Sequence, residues 1–229
     1  MAEEAPSMPS VAIVDYGMGN LYSVERACEE AGMTARITSS AAEILRAGAV
    51  ILPGVGAFPD AMARLHRLDL VSVLRDIVQS AKPLVGICLG MQLLMSESEE
   101  FSNSKGLGVL PGTVRWIRPE LYEGRQLKVP EVGWNSIHRP RVDGAGWERT
   151  LLRGLENDTF MYFVHSLVVQ PEEGSVCLAM TRYGTVEFCS ALKDRNVFGC
   201  QFHPERSGHA GLKIYRNIHS LITDGTEAL

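Results

Sequence analysis

Apolar positions fall alternately into short continuous runs and helically spaced stripes along the first ninety residues. Val11-Ala12-Ile13-Val14 is an apolar run and predicts a buried strand. Leu21, Val24, Ala27, Cys28 and Ala31 then share one helical face, and Gly32 stands where that helix should stop. Ala49-Val50-Ile51-Leu52 predicts a second strand, and Pro59 opens a helix at the position proline tolerates best. Leu70, Leu74, Ile77, Val78 and Ala81 mark a further helix. After Pro83 comes an apolar run that ends at Cys88, and residues 92–95 read as the first turns of another helix. Such alternation predicts an α/β fold, a mostly parallel central sheet with helices on both faces. Sites in such sheets lie beyond the carboxyl ends of the strands, where Asp15, residues 53–58 and Cys88 all fall.

The second half is strand-rich, with strands expected over 113–118, 160–164, 176–181, 186–192 and 197–202. A closing helix is expected over 211–222, with Leu212, Ile214, Tyr215, Ile218, Leu221 and Ile222 on its apolar face. Residues 138–150 carry one proline, two glycines and several charges, and read as a surface loop. No internal repeat or domain boundary interrupts the pattern, so residues 10–229 are expected to form a single domain. Residues 1–9 are acidic and rich in proline and serine, without the basic and apolar regions of a signal peptide, and read as a flexible arm.

Composition narrows the classes. The 229 residues suffice for one domain with a substantial core. A formal net charge of −5 argues against nucleic acid as a partner. No apolar run approaches the ~20 residues that cross a membrane, so no membrane association is expected. The five cysteines (Cys28, Cys88, Cys177, Cys189, Cys200) are odd in number and unpaired in spacing, which suggests reduced thiols in a cytoplasmic setting. Four of them read as small core residues.

Cys88 differs from the others. Gly86-Ile87-Cys88-Leu89-Gly90 places it on a sharp strand-to-helix turn between two glycines, whose backbone angles are free. Such a turn pushes a side chain out at the end of the sheet and aims a helix N-terminus at it. The helix dipole and free N–H groups then favour a thiolate and can hold an oxyanion. A second segment is Gln201-Phe202-His203-Pro204-Glu205. In an extended segment, residues two apart point to the same side. Glu205 can then hold one nitrogen of His203 while the other faces a thiol, giving nucleophile, base and orienter. Alone, the segment reads equally well as a surface turn. The third segment, Pro53-Gly54-Val55-Gly56-Ala57-Phe58, follows a strand and is either a plain turn or an oxyanion loop of backbone N–H groups. Asp15-Tyr16-Gly17-Met18-Gly19-Asn20 has a similar form but lacks a nucleotide fingerprint.

Other residues stay open on the residues alone. Gln92 either faces the pocket or packs beside it. Glu97, Glu99 and Glu100 are either a solvated face or include one partner for a substrate ammonium. His165 at the end of a strand reads as structural before catalytic. Trp134 is either core or an exposed anchor for a partner. No cluster has metal-ligand spacing, and no cofactor is expected.

Together the segments GICLGMQ, PGVGAF and QFHPE resemble the class I, triad-type glutamine amidotransferases. Within that class, IVDYGMGNLYSV, KVPEVGWNSI, YFVHS and FGCQFHPERSG resemble the amidotransferase subunits of imidazole glycerol phosphate synthases, from about Val11 to Ile222. The resemblance implies the class I amidotransferase fold, flavodoxin-like, with additional antiparallel strands in the second half. It implies that Cys88 attacks the side-chain amide of L-glutamine while His203, held by Glu205, shuttles the proton. Gly54, Val55, Gly56 and Leu89 would form the oxyanion loop and hole, and Gln92, Glu100 and the Ser166 backbone would hold the amino-acid end of glutamine. Ammonia would pass to a (β/α)₈-barrel cyclase subunit in a heterodimer. That partner makes imidazole glycerol phosphate and aminoimidazole carboxamide ribonucleotide in histidine biosynthesis. Trp134, Tyr162 and Arg206 match positions at or near that interface. The chain departs from the usual pattern at Glu131, where the family often has His, at Leu167, often Tyr, and at Arg206, often Lys. The alternatives are an amidotransferase subunit of another pathway, which PGVG and GWN oppose, and a silent scaffold, which an intact Cys-His-Glu set opposes. A Cys hydrolase of unrelated substrate is opposed by Gln92 and the HPE segment.

Overall fold

The structure, a computed structural model, describes residues 10–118, 121–122, 124–140 and 146–224. The expected arm over 1–9 lies outside these residues. In chain order the first half comprises β1 (Ser10–Val14), α1 (Leu21–Glu30), β2 (Thr34–Thr38), α2 (Ala41–Arg46), β3 (Ala49–Gly54), α3 (Phe58–Arg67), α4 (Leu70–Gln79), β4 (Leu84–Cys88) and α5 (Leu89–Leu93). There follow β5 (Met95–Ser98), β6 (Ser104–Lys105), β7 (Leu110–Trp116), β8 (Leu121–Tyr122), β9 (Arg125–Gln126), β10 (Glu131–Ile137), β11 (Thr159–His165) and β12 (Leu167–Pro171). The chain closes with β13 (Cys177–Tyr183), β14 (Val186–Asp194), β15 (Val197–Cys200) and α6 (Gly208–Thr223).

The main sheet runs β2-β1-β3-β4-β15-β14-β12-β7-β5-β6, with β13 against the free side of β14. The block β2-β1-β3-β4-β15 is parallel throughout, and β14, β12 and β7 are joined by antiparallel pairings. Alternation along each strand sends side chains to two cores. Ala12, Val14, Val50 and Leu52 face a core shared with Phe58, Leu65 and Leu74 of α3 and α4. Val11, Ile13, Ala49 and Ile51 face the opposite core, with Val24 of α1 and Ile214, Tyr215 and Ile218 of α6. The expected helix layers on both faces are therefore present, and β10 and β11 form a separate two-stranded antiparallel sheet.

Several expectations differ in detail. β2, α2, β5, β10 and β12 have no counterpart among the expected elements. β2 is an edge strand with only one of its five residues buried, so it lacks a continuous apolar run. Ala81 was expected on a helix, but α4 ends at Gln79 and Ala81 turns at φ 60°. The helix after Cys88 starts earlier than expected and spans five residues, after which the chain enters β5. The surface loop expected over 138–150 ends in the core: Trp147 is buried and its indole N–H donates to the Leu178 carbonyl at 2.7 Å.

Candidate active site

The site begins with the backbone at Cys88. β4 ends there, and the residue adopts φ 55°, ψ −110° before α5. A non-glycine residue at positive φ is strained and persists only where its surroundings impose it. The flanking glycines act differently from the expectation. Neither Gly86 nor Gly90 has positive φ; both are needed for close approach. A Cβ at Gly90 would lie 1.7 Å from the Leu52 carbonyl oxygen, and one at Gly86 would lie 2.7 Å from the Gly90 carbonyl oxygen. α5 is thus pressed onto β3 and β4, and Cys88 takes up the turn. Because α5 has only five residues, its dipole is a weaker support for a thiolate than a long helix would be.

β15 runs parallel to β4 and delivers the next segment alongside it. The strand ends at Cys200, and His203 continues in extended conformation. Glu205 lies in a 3₁₀ turn, Pro204–Arg206, rather than in extended chain as expected, yet reaches His203: Nδ1 to Glu205 Oε1 is 2.7 Å. Both side chains are almost fully buried. The other ring nitrogen, Nε2, is buried and has no hydrogen-bond partner of ordinary geometry. Burial alone would favour neutral imidazole, but the Cys88 sulfur and the Glu205 carboxylate outweigh it and push the His203 pKa up to about 10. The Cys88 sulfur itself lies 3.9 Å from the Val164 carbonyl and 3.7 Å from Gln201 Nε2.

Cys88 opens onto a cavity of about 290 Å³. Val55, Gly56, Leu89, Gln92, Glu100 and Ser166 all line it. Gly54 pairs directly with Cys88 across β3 and β4, which brings the Gly-rich segment beside the thiol. Gly56 has φ 118°, a conformation that favours glycine. Of the three acidic residues, Glu97 and Glu99 pair at the surface with Lys105 and Arg115. Glu100 is buried, with Oε2 accepting from the Phe58 N–H at 2.6 Å, the first residue of α3. That bond caps a helix whose own N-cap side chain makes none, so Glu100 serves the fold as well as the cavity. Asp15 does not join the cavity; its Oδ1 accepts from the Gly17 N–H in an exposed turn. Its neighbour Tyr16 instead reaches the Gly-rich segment. Its buried hydroxyl donates to the Pro53 carbonyl at 2.8 Å, and burial together with the Cys88 charge keeps it neutral.

The three interface candidates sit together. Trp134 and Tyr162 face each other across β10 and β11, edge to face with ring centroids 6.0 Å apart. The Arg206 guanidinium lies over the Tyr162 ring at 5.1 Å. Trp134 is 55% exposed, and Val132 and Phe160 extend the same exposed face. The opposite face is buried and carries Glu131, whose Oε2 is 3.3 Å from His165 Nε2, while Asn135 donates to Glu131 Oε1 at 2.8 Å. His165 also lines the cavity. Sequence reasoning passed over Tyr16 and Gln201. Gln201 was detectable, being two residues before His203 in an extended stretch and hence on the same side. Among the described residues no group of three or more His, Cys, Asp or Glu is placed to hold a metal ion, and no helix is long and apolar enough to cross a membrane.

The raised His203 pKa gives a pH prediction. The folded state favours the imidazolium, so this stabilisation is complete below the ordinary value of 6.5 and is lost as pH rises through about 10. Removing the sulfur in Cys88→Ala leaves only Glu205 to oppose burial, so the His203 ring should titrate at lower pH than in the unmodified chain. An NMR titration of the His203 ring reads this directly; an unmoved midpoint would show that the sulfur does not act on the ring.

The family model for "Glutamine amidotransferase class-I" matches residues 12–219. The chain is 45% identical over 215 residues to the imidazole glycerol phosphate synthase subunit HisH of Moorella thermoacetica, covering 94% of this chain and 96% of that one. It is 43% identical to the subunit HisH of Bacillus cereus (strain B4264), covering 93% and 95%, and 40% identical to HisH 1 of Legionella pneumophila (strain Lens), covering 92% and 99%. Among solved structures it resembles a glutamine amidotransferase with TM-score 0.67, 20% identity, and 93% and 98% of the two chains covered. PurLQS from Thermotoga maritima gives TM-score 0.67 at 18% identity, covering 93% and 98%. These last two likenesses speak to the fold alone. With the family model spanning most of its length and several HisH relatives at 40–45% identity, the chain belongs to the class-I glutamine amidotransferases, in the branch of the imidazole glycerol phosphate synthase HisH subunits.

Proposed function

We propose that this single-domain chain is the glutaminase subunit of an imidazole glycerol phosphate synthase, with Cys88, His203 and Glu205 as its triad. The observation that carries the reading is a thiol on a strained turn, open to a cavity, beside a buried imidazole held by a carboxylate at 2.7 Å. The Cys88 thiolate attacks the carboxamide carbon of glutamine, and N–H groups near Val55 and Leu89 receive the oxyanion. The His203 imidazolium protonates the departing nitrogen, and ammonia leaves behind a glutamyl thioester. Water then adds to the thioester while His203 takes its proton; glutamate departs and the thiolate is restored. Glu205 fixes the ring and supports its charge throughout. Gln92, Glu100 and Ser166 line the cavity, and we assign Gln92, Glu100 and the Ser166 backbone to the amino-acid end of the substrate. Gln92 spends its amide nitrogen on Leu167 and Gln201, which leaves its carbonyl oxygen for a substrate ammonium.

The ammonia goes to a (β/α)₈-barrel cyclase bound as a heterodimer, which forms imidazole glycerol phosphate and aminoimidazole carboxamide ribonucleotide. The exposed face of Val132, Trp134, Phe160 and Tyr162, with Arg206 on Tyr162, supports docking there. That face is continuous with the cavity, because Val164 stands on it next to Tyr162 and lines the cavity. The five free, buried cysteines support a reducing, cytoplasmic setting.

Two measurements test the assignment. Glutaminase activity of the chain should be low alone and rise when the cyclase and its ligand are added; full activity without the partner would overturn the coupling. Trp134→Ala should weaken the complex at least about 30-fold, as expected for a central aromatic anchor, and titration calorimetry measures it. Unchanged affinity would move the interface elsewhere.

A further inference from the structure

We infer that Gln201 is a positioning residue for the nucleophile, holding the Cys88 sulfur with an amide N–H and thereby favouring its thiolate form. This rests on the reading of Cys88 as nucleophile and adds a second polar group acting on it besides His203. Gln201 is fully buried, and its side chain lies between Gln92 and Cys88.

The direction of its hydrogen bonds follows from one unambiguous group. The Leu167 carbonyl can only accept, so the Gln92 end that meets it at 3.2 Å must be the amide nitrogen. That same nitrogen lies 3.1 Å from Gln201, so Gln201 must offer its carbonyl oxygen there. Its own nitrogen then faces Cys88 Sγ at 3.7 Å. Sulfur is therefore the acceptor, a role the thiolate fills far better than the thiol. A thiol proton would have the Val164 carbonyl as its acceptor, but at 3.9 Å that contact is long. Flipping either amide would set two N–H groups, or two oxygens, against each other in a buried site.

The arrangement also compensates for the shortness of α5. A five-residue helix gives limited help to a thiolate. Gln201 gives it a fixed donor in a dry environment, where such a bond is strongest. The donor's orientation is anchored outward as well: the Leu167 carbonyl also meets His165 Nδ1 at 2.9 Å.

The test uses Gln201→Leu and Gln201→Glu in the full chain, leaving His203 and Tyr16 intact. Alkylation of Cys88 by iodoacetamide, located by peptide mass spectrometry, is followed from pH 5 to 10. The rate at pH 7 should fall about tenfold in Gln201→Leu, the loss expected for one charge-assisted hydrogen bond. It should recover as pH rises, with the profile displaced upward by about one unit. Gln201→Glu, which keeps the shape and the acceptor but places a carboxyl group against the sulfur, should be slower still. Profiles that coincide with the unmodified chain would overturn the proposal, as would a lower rate with no displacement along pH. Should the variants fold poorly, the unmodified chain answers the question: the Gln201 side-chain amide NMR signals should shift as Cys88 titrates and stop doing so in Cys88→Ala. Amide signals indifferent to Cys88 would also refute it. Failure here differs from failure of the nucleophile assignment, which would show instead as glutamine turnover surviving in Cys88→Ala.

Discussion

Cys88→Ala should lower glutamine-dependent turnover by roughly 10⁴-fold or more, the usual scale for loss of a triad nucleophile. The substitution suits the question because it keeps the Cβ and so keeps the backbone at φ 55°. Alanine bears the same turn strain as cysteine, and the loss reads chemistry rather than refolding. The complex with the cyclase should still form its products when ammonia is supplied in solution, because nothing in that route needs the thiol. Steady-state assays with glutamine and with an ammonium salt separate the two routes. Comparable losses on both would mean that the substitution damages the assembly. Turnover retained with glutamine would remove Cys88 from the mechanism.

Gly90→Ala should be among the most damaging single-methyl additions to the fold. Its Cβ would stand 1.7 Å from the Leu52 carbonyl oxygen and 2.8 Å from the Leu52 carbonyl carbon. Both are backbone atoms at the centre of the parallel sheet, so no rotamer change relieves the overlap. α5 would have to lift from β3, and with it the turn that presents Cys88. Overpacking of this kind costs about 3 kcal/mol, which for a chain of this size lowers the melting temperature by about 6–12 °C. Gly174→Ala is the matched control, since a Cβ there meets nothing within 4 Å and the residue does not have positive φ. Thermal unfolding of the two variants side by side decides the matter; equal midpoints would refute the close-packing account of Gly90.

The parallel half of the fold was legible because buried strands announce themselves as unbroken apolar runs. β1, β3 and β4 are buried on both faces and were found nearly to the residue. β2 lies at an edge and β10 alternates between solvent and core, so neither carries such a run. β5 was hidden by its neighbour: the apolar residues that end α5 run without a break into the strand. The candidate site was legible where one side chain identifies a chemistry, as at Cys88, His203 and Glu205. It was less legible where a residue acts through its neighbours. Gln201 lay in plain view beside His203, but its meaning depends on Gln92, which reaches it across 109 positions of chain, and on the Leu167 carbonyl that fixes the Gln92 amide. Glu100 separates from Glu97 and Glu99 only once burial is known.

The two-sidedness of β11 has a consequence for how this chain can vary. Phe160, Tyr162 and Val164 stand on the more exposed face, while Met161, Phe163 and His165 stand on the buried one. Odd and even positions along one strand therefore carry separate messages, as letters do in a reading frame. Gain or loss of a single residue within 159–165 would exchange the two sets, turning an imidazole outward and an indole's partner inward. Substitutions can adjust either face alone, but the strand's length answers to both faces at once. Changes in length should therefore fall outside Thr159–His165.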